Sequence, residues 1–145
     1  MIKVVPWIGT AMTLPRTAQL CLLAFSLLLS GCGTLDREKK STALEAATSG
    51  YGRAMRWGYY ESAYGYLHPA NRVKPPTGVD NVRLTAYEIV QPPLRTNPDA
   101  AEQVVHIEYV LADEQVVRKL TDRQDWRYDE KTRSWWLHSA PPDFR

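Results

Sequence analysis

The chain opens with an apolar run, and alternating patterns of apolar and polar residues follow it. Residues 20 to 29 are almost entirely apolar, but the run is shorter than the ~20 apolar residues that a membrane-spanning helix needs. Lys3 and Arg16 precede it, no acidic residue occurs before Asp36, and small residues follow it. This order of basic, apolar and small residues is typical of an export signal. We therefore predict that residues 1 to 31 are a cleaved signal peptide.

The end of the apolar run has the sequence Leu29-Ser30-Gly31-Cys32, which resembles the lipobox of bacterial lipoproteins. The resemblance implies cleavage between Gly31 and Cys32 and attachment of acyl chains to Cys32. Each acyl chain contributes on the order of 0.8 kcal/mol per buried methylene, and stable anchoring takes two such signals. In two-membrane bacteria, Asp after the lipidated cysteine favours the inner membrane. Gly33 stands there instead, which implies the periplasmic face of the outer membrane.

Two start codons are compatible with this signal. Translation from Met1 includes Lys3, whereas translation from Met12 still supplies Arg16 ahead of the apolar run. Either start leaves the same mature chain after cleavage.

Removal of the signal changes the cysteine content and the charge. Cys21 leaves with the signal and Cys32 is acylated, so no disulfide forms within one mature chain even in an oxidising compartment. The 18 basic and 16 acidic side chains of the whole chain become equal in number once Lys3 and Arg16 are lost. This balance argues against nucleic acid as a partner.

The mature chain begins with a polar segment and two helices. Residues 32 to 41 are mostly polar and charged, so we expect a lipidated tether, and residues 42 to 145 form a single α+β domain. Thr42 and Glu45 have capping-box spacing. Apolar residues then recur at helical spacing as far as Trp57. A second, shorter helix follows Gly58 and ends before His68-Pro69.

The rest of the chain alternates as strands do. Four strands are predicted: Val82 to Val90, Glu102 to Leu111, Gln115 to Tyr128 and Ser134 to Ser139. Pro92-Pro93 is expected to end the first strand, and Asp113-Glu114 forms a tight turn between the second and third. In the second strand Val105 and Ile107 share one face, and His106 lies on the other. Helices followed by antiparallel strands predict an α+β domain with the helix pair packed in a curved sheet of about four strands.

This order of elements resembles the nuclear-transport-factor-two-like fold, also called cystatin-like. The resemblance rests on a long helix, a short helix and hairpins that close on residues 126 to 131 and 135 to 137. It covers residues 42 to 140, and it implies a cone-shaped domain with one strand fewer than fuller members of the family.

An aromatic group is the most distinctive feature of the mature chain. Four of its members are candidate ligand-pocket residues: Tyr60, Tyr64, Trp126 and Trp136. Tyrosine and tryptophan offer a flat apolar body with a polar tip, which suits a small apolar or sugar-like ligand. The alternative interpretation is that these side chains are ordinary core.

The resemblance also implies a catalytic alternative, since family members include isomerases and dehydratases with an acid or a histidine inside the cone. Candidate residues are His106, Glu108, Asp122 and Asp125. His106 would be the general base. His68, His106 and His138 lie in different elements with no close pair, so no metal site is expected, and no cofactor motif is present.

The third strand and the C-terminal tail are two further candidate interaction surfaces. The third strand carries charges of both signs, which predicts either a solvated face or a docking surface: Arg118, Lys119, Asp122, Arg123, Asp125 and Arg127. In the tail, Phe144 packs back on the sheet or inserts into a partner. The sequence thus predicts a non-catalytic binding or interaction module, anchored to the bilayer through Cys32, with an envelope protein or a small apolar ligand as partner. The alternative is a small periplasmic enzyme using His106 and a nearby carboxylate.

Overall fold

The computed structural model describes the backbone of residues 32 to 145, and the side chains from residue 35 onward. The predicted signal peptide, its cleavage residue Gly31 and both candidate start codons lie outside the described residues. The chain divides into two compact units, of which Arg37–Arg145 is the one described below. Within residues 32 to 145, no helix is long and apolar enough to cross a membrane.

Two α-helices precede the sheet, α1 (Cys32–Arg56) and α2 (Tyr60–Tyr64), and two 3₁₀ turns follow them, Pro69–Asn71 and Val79–Asn81. Helix α1 begins ten residues before the predicted start at Thr42. The predicted tether, residues 32 to 41, is therefore helical, and Thr42 does not cap the helix. The reason is composition: the segment contains no proline, and half of its residues prolong a helix at little cost, namely Leu35, Arg37, Glu38, Lys39 and Lys40.

Helix α1 buries one stripe of side chains. Leu44, Tyr51 and Met55 are at most 3% exposed, and they recur at intervals that place them on one face of the helix. Glu45 and Arg53, on the opposite side, are exposed. Tertiary packing of this stripe holds the helix in place, because helices in water owe most of their stability to an amphipathic face.

The four strands form one antiparallel sheet in the order β1-β2-β3-β4. Their bounds are β1 Val82–Asn97, β2 Ala100–Leu111, β3 Arg118–Asp129 and β4 Ser134–Leu137. The predicted α+β class, with two helices and a four-stranded antiparallel sheet, is confirmed.

Strand β1 runs through Pro92-Pro93 instead of ending before them. The prolines lie where the ladder with β2 is irregular, with register shifts between Ile89 and Gln91 and between Gln91 and Leu94. They also lie on an edge strand of the sheet. Proline removes only an N–H group, and at a bulge on an edge strand that group is not needed for pairing. The predicted end of the strand at Val90 was therefore wrong.

Strand β3 begins later than predicted. The pairing with β2 stops at Tyr109 and Arg118, so the connection is a loop of residues 112 to 117 rather than a two-residue turn. Val116, which falls within the predicted third strand, lies in this loop and is 59% exposed.

The two faces of the sheet differ in burial. We call the face that carries the core the inner face. Most of its β2 and β3 members are buried: Ala101, Gln103, Val105, Ile107, Tyr109, Asp122, Gln124 and Trp126. The opposite, outer face carries exposed side chains such as His106 and Arg123. This alternation follows from the period of two along a strand.

The C-terminal tail packs back onto the domain. The ring of Phe144 contacts Tyr109 edge to face at a centroid distance of 5.0 Å and approaches Tyr60 at 6.3 Å. The hydroxyl of Tyr109 donates to the carbonyl of Arg145 at 2.8 Å. Phe144 was predicted either to pack back on the sheet or to insert into a partner. In the structure its ring packs on the sheet.

Candidate functional site

The four predicted pocket aromatics do not lie together. Tyr60 and Tyr64 are 4% exposed, and Trp126 is fully buried in the same core cluster. Trp136 is half-buried and alternates with Trp135, which is 4% exposed, so it lies on the outer face. The structure therefore brings three of these residues into the core and separates the fourth from them.

Aromatic rings fill the space between α1 and β3. Trp126 packs edge to face with Tyr51 at 5.8 Å and with Tyr66 at 6.4 Å, and the two tyrosines contact each other at 6.2 Å. Edge-to-face pairs of this kind add to the stabilisation from burial alone. The centre of the domain is thus a packed aromatic cluster.

A chain of buried polar groups runs along the inner face of β3. The Trp126 indole N–H donates to Gln124 Oε1 at 3.1 Å. The Gln124 amide N–H₂ donates to Asp122 Oδ2 at 2.7 Å and to the Tyr87 hydroxyl at 3.1 Å. Burial raises the pKa of Asp122 to about 6, although the hydrogen bond from Gln124 lowers it. Asp122 was predicted among exposed charges, and that prediction was wrong.

Three buried atoms beside this chain lack a hydrogen-bond partner among the described residues. They are both amide atoms of Gln103 and the hydroxyl of Tyr51, and each residue is 1% exposed. Burial raises the pKa of Tyr51 well above its usual value, and the Asp122 charge raises it further. Unsatisfied groups of this kind cost ~1–3 kcal/mol each. The inner face therefore contains buried donors and acceptors that the packing leaves without partners.

His106 lies on the outer face, where β1, β2 and β3 form a shallow hollow of about 270 Å³. Glu88 is its partner in the β1–β2 register and also lines the hollow. Glu108 lines it as well and forms an ion pair with Lys119 at 2.5 Å. Asp122 lies on the inner face, on the opposite side of the sheet from His106. The carboxylates near His106 are therefore Glu88 and Glu108, on the solvent side.

Asp125, the last of the catalytic candidates, lies on the outer side of β3. Its carboxylate accepts two hydrogen bonds from the guanidinium of Arg127, the shorter at 2.8 Å. It therefore belongs to a surface ion pair, some strand positions away from His106.

His68 and His138 lie side by side, and their ring centroids are 4.6 Å apart. The residues that precede them, Leu67 and Leu137, form a parallel bridge, and the His68 N–H donates to the Leu137 carbonyl at 3.0 Å. The expectation that the histidines form no close pair was therefore wrong. Within residues 32 to 145, no three His, Cys, Asp or Glu side chains form a group that could hold a metal.

The tautomer of His68 also follows from its contacts. Its Nδ1 accepts a hydrogen bond from the Ala70 N–H at 3.2 Å, so the proton of the neutral ring lies on Nε2. Burial and the nearby His68 and Arg127 lower the pKa of His138, whereas Asp125 raises it. The pair is thus two adjacent imidazole rings with an interplanar angle of 35°, in surroundings that favour the neutral form of His138.

Helix α1 ends in a Schellman motif at Gly58, whose φ is +71°. The Gly58 N–H donates to the Met55 carbonyl at 3.1 Å, and the Tyr59 N–H donates to the Ala54 carbonyl at 2.8 Å. These are the two hydrogen bonds of the motif, and glycine adopts the left-handed conformation at low cost. The backbone is therefore fixed on both sides of Gly58, yet Trp57 and Tyr59 are 69% and 64% exposed.

A groove of about 460 Å³ adjoins this turn. One wall is the segment from Gly58 to Ser62, and the other runs from Pro75 to Asp80. The lining includes two carboxylates, Glu61 and Asp80, but no Lys, Arg or His. We call this the acidic groove.

Sequence reasoning missed both the polar chain on the inner face and the acidic groove. The signal for the polar chain was present, since Asp122 and Gln124 share the parity of Trp126 along β3. The groove left a weaker signal, because it joins two segments that are far apart in the sequence.

The comparisons with known proteins add no relative. No family model matches the chain, and no curated protein is significantly similar to it in sequence. The fold and the geometry of its surfaces are therefore what supports a function for this chain.

Proposed function

We propose that this chain is a bacterial lipoprotein, acylated on Cys32 after removal of residues 1 to 31 and held at the periplasmic face of the outer membrane. We propose further that residues 42 to 145 are a non-catalytic binding module of the cell envelope, with a nuclear-transport-factor-two-like fold. A long helix, a short helix and a four-stranded antiparallel sheet support that fold.

The packed inner face is the observation that carries the binding-module proposal. Tyr51, Tyr60 and Trp126 are at most 4% exposed, and they occupy the side of the sheet where a cone-shaped enzyme holds its substrate. Because the core uses these side chains, recognition falls to the surface. Trp57 and Tyr59, exposed on a rigid turn, favour a protein partner over a small apolar ligand, since tryptophan and tyrosine are enriched at the energetic centres of protein interfaces.

The lipid attachment is tested by metabolic labelling with an alkyne analogue of palmitate in a two-membrane bacterium. We expect label on the wild-type protein and none on Cys32→Ala. Cys21→Ala is the matched control, because the same residue type is removed from the predicted signal peptide, and it should label as the wild type does. Mass spectrometry of the N-terminal peptide should give an acylated cysteine at position 32.

Two results would contradict the proposal: label retained by Cys32→Ala, or a mature protein that still carries residues 1 to 31. The membrane is tested separately with Gly33→Asp, which should move the protein from the outer to the inner membrane fraction on a density gradient. An unchanged distribution would remove the support that Gly33 gives to the outer-membrane location.

A second candidate function is a small periplasmic enzyme that uses His106. The shared hollow of His106, Glu88 and Glu108 favours it, although the hollow faces solvent and Glu108 is held by Lys119. This candidate requires that His106→Ala reproduce the phenotype of a gene deletion while the protein remains folded and acylated. Thr121→Ala, in the same hollow, is the matched control.

A further inference from the structure

We propose that the acidic groove binds an arginine-bearing or lysine-bearing extended segment of a partner protein. The proposal deepens the binding-module function and rests on it, since it names the surface and the chemistry of the partner. The groove is the space between the turn at Gly58 and the loop that leads to β1.

The charge of the groove selects a cation. Glu61 and Asp80 line it without a basic neighbour in the lining. In the part of the chain that the structure describes, neither carboxylate forms an ion pair. By contrast, Glu114 pairs with Arg118, and Asp125 pairs with Arg127. A guanidinium or ammonium group would therefore supply the charge that this chain leaves unmatched at the groove.

The start of the second wall has no backbone donors. Pro75 and Pro76 have no backbone N–H, so this part of the wall offers carbonyl oxygens and apolar ring surface. The carbonyl of Pro76 already accepts from the Val79 N–H at 3.2 Å, which fixes the turn, whereas that of Pro75 accepts from no backbone N–H of residues 32 to 145. Arginine and lysine side chains are donors only, so they complement carboxylates and carbonyls.

The aromatic rim suits the apolar stem of the same side chains. Tyr59 lines the groove and is exposed, but its backbone is held by the hydrogen bonds of the Schellman motif. A rigid rim loses little conformational entropy when a partner binds. Cations are attracted to the faces of tryptophan and tyrosine, and arginine also stacks on them. The groove volume of about 460 Å³ lies within the range of specific binding sites.

Gly78 shapes the far end of the groove. Its φ of +91° lies in the left-handed region, which side chains adopt at a cost. A Cβ there would meet no atom within 4 Å, so the glycine is required by backbone conformation and not by space. Turns at Gly58 and Gly78 thus hold the two walls of the groove in fixed conformations.

The test uses the full-length protein in detergent micelles and two synthetic probes. One is the acetylated, amidated peptide Gly-Arg-Gly-Arg-Gly, and the other has citrulline, a neutral isostere, in place of both arginines. Binding is followed by NMR chemical shifts of the backbone amides. We expect the arginine peptide to bind at least about tenfold more tightly, with shifts concentrated on residues 57 to 62 and 75 to 80, and to weaken as salt is raised.

Matched variants assign the binding to the groove. The double variant Glu61→Gln, Asp80→Asn should lose most of the preference for arginine, and Tyr59→Ala should weaken binding of the arginine peptide several-fold. Glu45→Gln removes an exposed carboxylate on the far part of α1 and should bind as the wild type does. All three replace exposed side chains, so folding is checked by their amide spectra.

Equal affinity for the two peptides would overturn the proposal. So would an equal loss in Glu45→Gln and in the double variant, since that result would mean attraction to overall negative charge. Shifts centred on the outer face of the sheet would overturn it as well. Failure here leaves acylation of Cys32 untouched, because the labelling experiment reads a different part of the chain.

Discussion

The two faces of the sheet differ in character along strands β2 and β3, where successive residues alternate between the two faces. On the inner face, Val105 pairs with Asp122, and both are at most 5% exposed. On the outer face, the next pair along, His106 and Thr121, is exposed. The same backbone ladder thus supports a packed core on one side and a solvated surface on the other.

The comparison shows where a polar residue is costly. On the outer face Lys119 and Arg127 form exposed ion pairs, and Arg123 is exposed to water, which solvates a charge at little cost. On the inner face Asp122 keeps one hydrogen bond from Gln124, and its pKa is raised because burial disfavours the charged form. Stability should therefore respond strongly to changes on the inner face and weakly to changes on the outer face.

The largest expected effect is that of Trp126→Ala. The side chain is fully buried, packs against Tyr51 and Tyr66 and donates to Gln124. Removing a buried aromatic side chain costs ~3–5 kcal/mol. Urea unfolding of the mature chain, followed by circular dichroism, would measure this loss. Trp136→Ala, the same change on the outer face, should cost clearly less, and equal losses would contradict the distinction between the faces.

The next effect is a gain in stability at neutral pH from Asp122→Asn. The folded-state pKa of Asp122, about 6, lies above the ordinary value of 3.8. The folded protein therefore holds this proton more tightly than the unfolded chain does. The stability that this gives is fully present below about pH 4 and is lost as the pH rises through 6. By pH 8 the difference amounts to at most about 3 kcal/mol.

Asparagine avoids this loss, because it stays neutral and its oxygen can still accept from Gln124. The free energy of unfolding of Asp122→Asn should exceed that of the wild type at pH 8 and match it near pH 4. Asp125→Asn, on the outer face, is the matched control and should change stability by less than about 1 kcal/mol. A variant that is less stable than the wild type at pH 8 would refute the pKa argument.

The smallest expected effect is that of Gly50→Ala, which tests the contact between α1 and the inner side. Alanine favours a helix over glycine by ~1 kcal/mol, but a Cβ at Gly50 would lie 2.1 Å from the Tyr66 hydroxyl oxygen. The Tyr66 ring must then shift against Tyr51 and Trp126, and such overpacking costs ~1–3 kcal/mol. We expect a small net loss in thermal unfolding experiments.

Two further variants test whether the contact with Tyr66 causes the loss of stability. Ser49→Ala, on the exposed side of the same turn, should be neutral or slightly stabilising. Tyr66→Phe in the Gly50→Ala background should recover part of the loss, because it removes the nearest atom. A stabilising Gly50→Ala would mean that Tyr66 moves freely and that the ring is not held by its aromatic neighbours.

The sequence predicted the class of the fold and the parity of the strands. A long and a short helix, four antiparallel strands and the inward face of Val105 and Ile107 followed from local periodicity, which short-range geometry determines. Element ends were less accurate: α1 started ten residues early, and β1 continued past its prolines. Ends depend on whether neighbouring elements supply partners, and a single segment carries no such information.

The candidate lipid site is also a property of the sequence, since Leu29-Ser30-Gly31-Cys32 is a local motif that does not depend on the fold of the domain. The tertiary structure decided everything that joins distant segments. It placed His68 beside His138 through pairing with β4, buried Asp122 beneath α1, and combined Glu61 with Asp80 in one groove. The physical reason is range: periodicity and capping act over one or two turns of chain, whereas burial, pKa and surface charge depend on which residues the completed fold places side by side.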